Sequence, residues 1–357
     1  MKYSEKELCL IWLDSFIGLE YKHKSILYQN LGEVKGIKAF IEKNAEYIKR
    51  EIGENNYQTL INSANAEYLD YVLSSLDKSE VRAITIDSDN YPSSLLQTDI
   101  PPLVLYAKGN IDLLDTEMFA IVGSRKSLPL SIKTAEKYAT ALSDAGLTLV
   151  TGIAEGVDKA VIESGLKTGR IISVIAGGFN RLYPASHTGL FEEVCAKGLA
   201  LSEHPLDVAP QPYFFPARNR IIAGLSKGTL VVSGSKKSGT KYTATFAEEY
   251  GRDLFAIPYN VGVTSGEGCN ELIKLGAHLT DVPEDILDFY NLSKVEEEIT
   301  YSQEEKEVLL ALENGSLHIE KISSITGKKP FELTAILSAL EIKGAVVKVG
   351  SNVYSKI

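Results

Sequence analysis

The sequence predicts an α/β protein whose centre, residues 118–280, is built on a largely parallel sheet. Two patterns predict it. Between Phe119 and Ala277, strand-like apolar runs and helix-like stretches alternate about six times, as expected of successive βαβ units. Four of the runs also end in a glycine loop: FAIV at Gly123-Ser124-Arg125, TLVT at Gly152, IISVI at Gly177-Gly178 and TLVV near Gly234. A strand, a glycine turn and a helix N-terminus in succession present unpaired backbone N–H groups to an anion.

The elements follow in order. Residues 1–75 carry apolar positions at helical spacing, in LCLIWLDSFIGL and ILYQNLGEVKGIKAFI, and read as a helical module. Residues 76–117 read as a segment leading into the core. There VRAITI runs into the turn signal DSDNYP, and Pro101-Pro102 precede the strand-like LVLYA. Residues 118–280 form the α/β domain. Residues 281–300, with Pro283 and the Glu296-Glu297-Glu298 run, read as a linker. Residues 301–357 form a small unit. Ser302 and Glu305 make a capping box at the head of SQEEKEVLLAL. Two further helical stretches each end at a glycine, and VVKVGSNVYSKI supplies two short strands around Gly350-Ser351-Asn352. Three helices and a hairpin make a winged-helix plan.

At 357 residues the chain is long enough for two or three domains and a substantial core. No run approaches the length of a membrane span, and the acidic N-terminus does not suit a signal peptide. Cys9, Cys195 and Cys269 are odd in number and far apart, which fits neither a disulfide framework nor a zinc site and points to a reducing cytoplasm. The net charge is −10 and its distribution is uneven. Residues 1–117 hold 12 basic against 19 acidic side chains, residues 118–280 hold 17 against 14, and residues 281–357 hold 8 against 14. The centre is basic between acidic flanks, so a polyanion ligand there is compatible with an acidic chain.

The chemistry of the central loops excludes several classes. GSRKSLP is not G-x-G-x-x-G, and the second strand ends at Thr151-Gly152 without the carboxylate that a dinucleotide ribose requires. No G-x-S-x-G elbow, ATP phosphate loop or H-x-x-x-H pair is present. Hence no catalytic residue, cofactor or metal is expected. Asp158 reads first as a helix cap and second as an acid for chemistry.

The basic residues point elsewhere. Arg125 stands in the first strand-end loop. Arg218, Asn219 and Arg220 precede IIAGLS, on what reads as an extended approach to a helix, where both arginines reach one surface. Arginine's planar fork suits phosphate. Lys236 and Lys237, followed by Ser238 and Gly239, set ammonium groups beside a backbone nest. Phe179, Tyr183, Phe214, Phe215 and Tyr242 fall in or beside these loops and offer either core packing or stacking on unpaired bases.

These stretches resemble the bacterial DNA-processing protein A (DprA/Smf) family. The resemblance rests on AIVGSR (120–125), TGIAEGVD (151–158), AGGFNRLYP (176–184), LSEHP (201–205), FPARNRIIAGLS (215–226), KSGTKYTA (237–244), GRDLFAIP (251–258) and GCNELIKLGA (268–277). It implies an extended Rossmann-like domain between an N-terminal SAM-like helical module and a C-terminal winged helix. It also implies a homodimer that binds single-stranded DNA, hands it to the RecA recombinase and protects incoming strands in natural transformation. Carried over, the DNA site takes Gly123, Ser124, Arg125, Arg218, Arg220 and Lys237. The strand-end loops add Gly152, Gly177, Gly178, Asn219, Ser238 and Gly239. The chain departs from the family pattern at Val161-Ile162, Leu130-Ser131, Ser233-Gly234, Lys241-Tyr242 and Pro258-Tyr259. The competing expectation is a Rossmann-like enzyme that binds or processes a nucleotide, with Asp158 or Glu203 as its acid.

Overall fold

The computed structural model describes residues 3–16, 19–29, 37–292, 301–313 and 315–356. The chain divides into two compact units, residues 1–294 and 295–357. The first is built on a nine-stranded sheet: β1 (Arg82–Thr85), β2 (Val104–Gly109), β3 (Met118–Val122), β4 (Thr148–Thr151), β5 (Ile171–Val174), β6 (Leu199–Ser202), β7 (Gly228–Val231), β8 (Asp253–Ala256) and β9 (His278–Leu279). Their order across the sheet is β1-β2-β6-β5-β4-β3-β7-β8-β9. From β6 to β9 every pairing is parallel, whereas β1 and β2 are antiparallel additions at one edge. The α/β expectation with a mostly parallel sheet is met. Residues 82–109 do more than lead into the core, because Tyr106 and Ala107 pair with Ser202 and Leu201 and so extend the sheet.

Alternation along the strands sorts side chains to two faces. On β3, Phe119 and Ile121 join one apolar core, while Met118, Ala120 and Val122 join the other. The first face is covered by α7 (Pro129–Asp144) and α8 (Val157–Thr168), through Ala135, Tyr138, Leu142, Val157 and Val161. The second is covered by α10 (Phe214–Leu225), α11 (Thr240–Glu249) and α12 (Glu267–Leu275), through Ile221, Ile222, Ala244 and Cys269. Between β5 and β6 lies α9 (Thr188–Lys197). The expected linker is corrected in its first part. Residues Glu284–Phe289 form α13, which buries Ile286 and Leu287 in the core and carries Glu284 and Asp285 in its first turn. Residues 293–300 lie outside the described residues.

The N-terminal region is helical: α1 (Glu5–Ser15), α2 (Tyr21–Gln29), α3 (Ile37–Lys43), α4 (Ala45–Ser63) and α5 (Ala66–Lys78), with the single turn α6 (Ser93–Leu96) following β1. Leu10, Trp12, Leu27, Ile48 and Leu60 share the first core with the sheet. A buried polar link reinforces this. The Lys24 Nζ donates to Asp14 Oδ1 at 3.0 Å, and the Tyr106 hydroxyl of β2 donates to Asp14 Oδ2 at 2.9 Å. None of the described helices is long and apolar enough to cross a membrane.

The second unit contains α14 (Gln303–Ala311), β10 (Leu317–His318), α15 (Ile319–Thr326), α16 (Pro330–Ile342), β11 (Val346–Gly350) and β12 (Val353–Lys356). The strands form an antiparallel sheet in the order β10-β12-β11. Val308, Ile322, Leu333, Leu337, Val346 and Tyr354 make its own small core. Ser302 and Glu305 form the capping box read from the sequence. Three helices and a small sheet are consistent with a winged-helix plan, to which β10 adds a strand that the sequence reading lacked.

Breaking a buried ion pair strands one charge. Asp14→Ala is expected to lower stability by about 3–5 kcal/mol, whereas replacing Asp14 and Lys24 together by leucine should cost less. Urea unfolding followed by the fluorescence of Trp12, the single tryptophan, checks this as a shift in midpoint at constant m.

Candidate nucleic-acid interface

The sheet order reverses at β3. The chain adds β4, β5 and β6 on one side, then returns to place β7, β8 and β9 on the other. Loops leaving neighbouring strands diverge at such a point and open a crevice outside the strand C-termini. Here a cleft of about 440 Å³ occupies it. Its walls are the loop Gly123–Lys126, the start of α8, the exposed side of α10 and the turn before α11.

The glycines of these loops are fixed by close packing. A Cβ on Gly123 would sit 2.4 Å from the Val157 side chain. One on Gly152 would sit 2.4 Å from Asp158 Oδ2 and 2.7 Å from Arg218 Nη2. Gly178 is pressed against the backbone of Pro205 and Leu206. Several amides expected to face an anion are already paired. The Ser124 N–H donates to Ser233 Oγ at 3.2 Å, Gly178 N–H to the Val208 carbonyl at 2.8 Å and Ser238 N–H to the Ser235 carbonyl at 2.9 Å. Ser233, a departure from the family pattern, also bonds the Ser127 hydroxyl at 2.9 Å and so fastens the first loop to the end of β7.

Arg218 and Arg220 part company. The expectation of an extended approach is corrected, since α10 begins at Phe214 and holds both residues. Two positions on a helix are about 200° apart. Arg218 forms the buried floor of the cleft, with its guanidinium donating to the Val174 carbonyl and to Asn219 Oδ1. Burial lowers its pKa to about 10, partly offset by the Asp158 carboxylate, so it stays charged at neutral pH. Burial raises the Asp158 carboxyl, and Arg218 opposes that shift. Asp158 accepts the Ala154 N–H at 3.1 Å and ties the loop to the first turn of α8, while Gly156 is the N-cap. Arg220 turns away from the cleft and pairs with Glu203 at 2.5 Å.

Arg125 is exposed over the Phe215 ring, 5.1 Å from its centroid, and makes no ion pair with a described carboxylate. Of the expected residues, Gly123, Ser124, Arg125, Gly152, Arg218, Asn219, Ser238 and Gly239 converge on the cleft. Lys237 is exposed at the tip of the turn that supplies Ser238 and Gly239. Gly177, Gly178 and Arg220 do not line the cleft. Among the aromatics, Phe215 and Tyr242 line it, Phe179 is buried against Phe191, and Phe214 stacks on His204 at 4.0 Å. Lys126 lines the cleft and was missed, although it directly follows Arg125. No group of three His, Cys, Asp or Glu side chains among the described residues is placed to hold a metal.

Comparison with known proteins follows this geometry. The family model of DNA recombination-mediator protein A matches residues 82–291, the span that holds all nine strands of the large sheet. Protein Smf of Escherichia coli K12 is 37% identical over 242 residues, covering 66% of this chain and 65% of its own length. The chain thus spans somewhat under two thirds of that relative. The X-ray structure of DNA processing protein A from Streptococcus pneumoniae superposes with a TM-score of 0.67 at 29% identity, covering 81% of this chain and 98% of that one. DNA processing protein A from Helicobacter pylori, solved to describe its single-stranded DNA-binding mode, gives a TM-score of 0.55 at 28% identity over 59% of this chain and 96% of its own.

A methyl group at residue 152 has no space beside Asp158 and Arg218. Gly152→Ala is therefore expected to lose about 1–3 kcal/mol of stability through overpacking. A denaturation midpoint unchanged from wild type would show that the cleft floor yields freely.

Proposed function

We propose that this chain, which belongs to the DNA recombination-mediator protein A family, binds single-stranded DNA in the cleft at the ends of β3, β4 and β7. The observation that carries the proposal is Arg125 lying over Phe215 at the cleft mouth. A guanidinium that makes no ion pair with a described carboxylate answers a phosphate, and the aromatic ring it lies over answers an unpaired base. Duplex DNA buries its base faces and cannot use the second contact. The Helicobacter relative described for single-strand binding supports the reading.

In this proposal Gly123, Ser124, Gly152, Asn219, Ser238 and Gly239 shape the cleft around the strand. Arg125, Arg218 and Lys237 supply its positive charge. Gly177, Gly178 and Arg220 hold the surrounding loops. The protein acts by binding rather than by catalysis, because the two acids in question are committed to other work: Asp158 to the Ala154 amide and Glu203 to Arg220. As a cytoplasmic homodimer it protects incoming strands and hands them to the RecA recombinase in transformation and recombination.

Titration with fluorescent oligo-dT, duplex DNA and mononucleotides tests the reading. Single strands are expected to bind best, with log affinity falling by about 0.7 per neutralised phosphate for each tenfold rise in salt. Equal affinity for duplex would overturn the single-strand reading, and tight binding of mononucleotides with turnover would favour the nucleotide-enzyme alternative. Arg125→Ala should weaken binding by about 1–3 kcal/mol without loss of fold. Arg125→Lys should recover only part of it, since a point charge cannot replace the planar fork.

Truncation after Leu292 should leave single-strand binding in place, because the cleft is lined wholly by residues 122–243. Loss of most affinity in the truncated protein, or tight binding by residues 301–357 alone, would move the site to the second unit.

A further inference from the structure

Two exposed side chains stand just outside the cleft, on the loop between β5 and α9. Tyr183 is 54% exposed and meets Phe215 edge to face, with ring centroids 5.7 Å apart. Phe215 and Arg125 line the cleft, whereas Tyr183 does not. The aromatic surface therefore continues beyond the cleft, toward the end of β5. Two residues before Tyr183, Arg181 is exposed and makes no ion pair with any described carboxylate.

The loop that carries them is anchored. Phe179 is buried against Phe191 at 5.7 Å. The Asn180 N–H donates to the Leu206 carbonyl, and its side-chain amide donates to Asp207, both at 2.9 Å. At the far end, His187 bonds the Ile153 carbonyl at 2.8 Å. A fixed backbone thus presents an unburied aromatic and, two residues before it, a cation without an ion pair to a described carboxylate. Surface residues without a ligand need no such arrangement, and a preorganised platform lowers the ordering cost of binding.

The size of the cleft gives this surface a purpose. A volume of about 440 Å³ lies within the range of pockets for small molecules. It holds a short piece of a strand, and the remainder has to leave across the rim. The loop after β7 carries the exposed Lys236 and Lys237, and the loop after β5 carries the exposed Arg181 and Tyr183. We propose that Tyr183 and Arg181 form a second nucleotide subsite. Tyr183 stacks on the base that leaves the cleft over Phe215, and Arg181 takes the accompanying phosphate. This rests on the single-strand reading above and extends it from a pocket to a track.

The test uses the full-length protein and fluorescence anisotropy with labelled oligo-dT of about 4 and about 20 nucleotides, lengths chosen to fill the cleft alone or to overrun it. Tyr183→Ala is expected to lower affinity for the long strand roughly tenfold or more, as for loss of one stacked base, and to leave the short one nearly unchanged. Tyr183→Phe should retain the long-strand affinity. Arg181→Ala should flatten the salt dependence for the long strand by about 0.7 and leave the short one alone. An equal loss on both lengths would mean that Tyr183 merely props Phe215, which overturns the subsite. No loss on either length would overturn it too. If wild-type protein binds neither strand, the single-strand reading itself falls and takes the subsite with it. An unchanged urea midpoint for each variant excludes unfolding as the cause.

Discussion

A guanidinium buried at the ends of β4 and β5 sets the form of this cleft. Arg218 cannot be taken out of water without partners, because desolvating a charge costs several kcal/mol. It finds them in the Val174 carbonyl, the Asn219 side chain and the field of Asp158. Each partner then constrains its own element. Asp158 must sit in the first turn of α8, and Gly152 must lack a side chain for the two charged groups to approach. The opposite side of α10 is held in the same manner by Arg220 and Glu203. The helix is thus bolted at both faces to the loops after β4, β5 and β6, and the position of Phe215 at its start follows from that.

The strand-end glycines take on a different task from the one their pattern suggests. A glycine turn before a helix exposes amides to an anion only if the protein leaves them unpaired. Here Ser124, Gly178 and Ser238 have donated theirs to Ser233, Val208 and Ser235. Under the single-strand proposal, anion recognition would fall to side chains instead, and Arg125, Lys126, Lys236 and Lys237 are exposed. Side-chain cations tolerate a moving or irregular ligand better than a rigid amide cradle does. That suits a flexible polymer more than a single phosphate.

Much of this was legible from the sequence, and what was not has identifiable causes. The four glycine-terminated runs are β3, β4, β5 and β7, because period and punctuation are local properties. The split of Arg218 from Arg220 was also written locally. Pro216 sits in the first turn of α10, where a missing N–H costs no intrahelical bond, so a helix that already includes Arg218 and Arg220 is compatible with it. The acidic composition of residues 281–292 hid the short helix α13, whose apolar pair Ile286-Leu287 is the part that packs. The pairing of β2 with β6 was beyond local reading, since it joins Tyr106 to Ser202 across almost a hundred residues. The role of Ser233 depends likewise on two loops meeting in space.

The net charge of −10 remains to be reconciled with a polyanion ligand. Screening decides the matter. At physiological ionic strength a charge is felt over about 8 Å, so a carboxylate farther than that from the cleft contributes little there. The nearby ones are largely neutralised by their partners. Asp158 is buried close to Arg218, and Glu203 is paired with Arg220. The exposed cations Arg125, Lys126, Lys236 and Lys237 make no ion pair with a described carboxylate, so an acidic molecule still carries unpaired positive charge in these loops. The global charge governs solubility and long-range approach. In the single-strand proposal, occupancy of the cleft would depend on the few cations within a screening length of it, and Arg125, Lys126 and Lys237 make no ion pair with a described carboxylate.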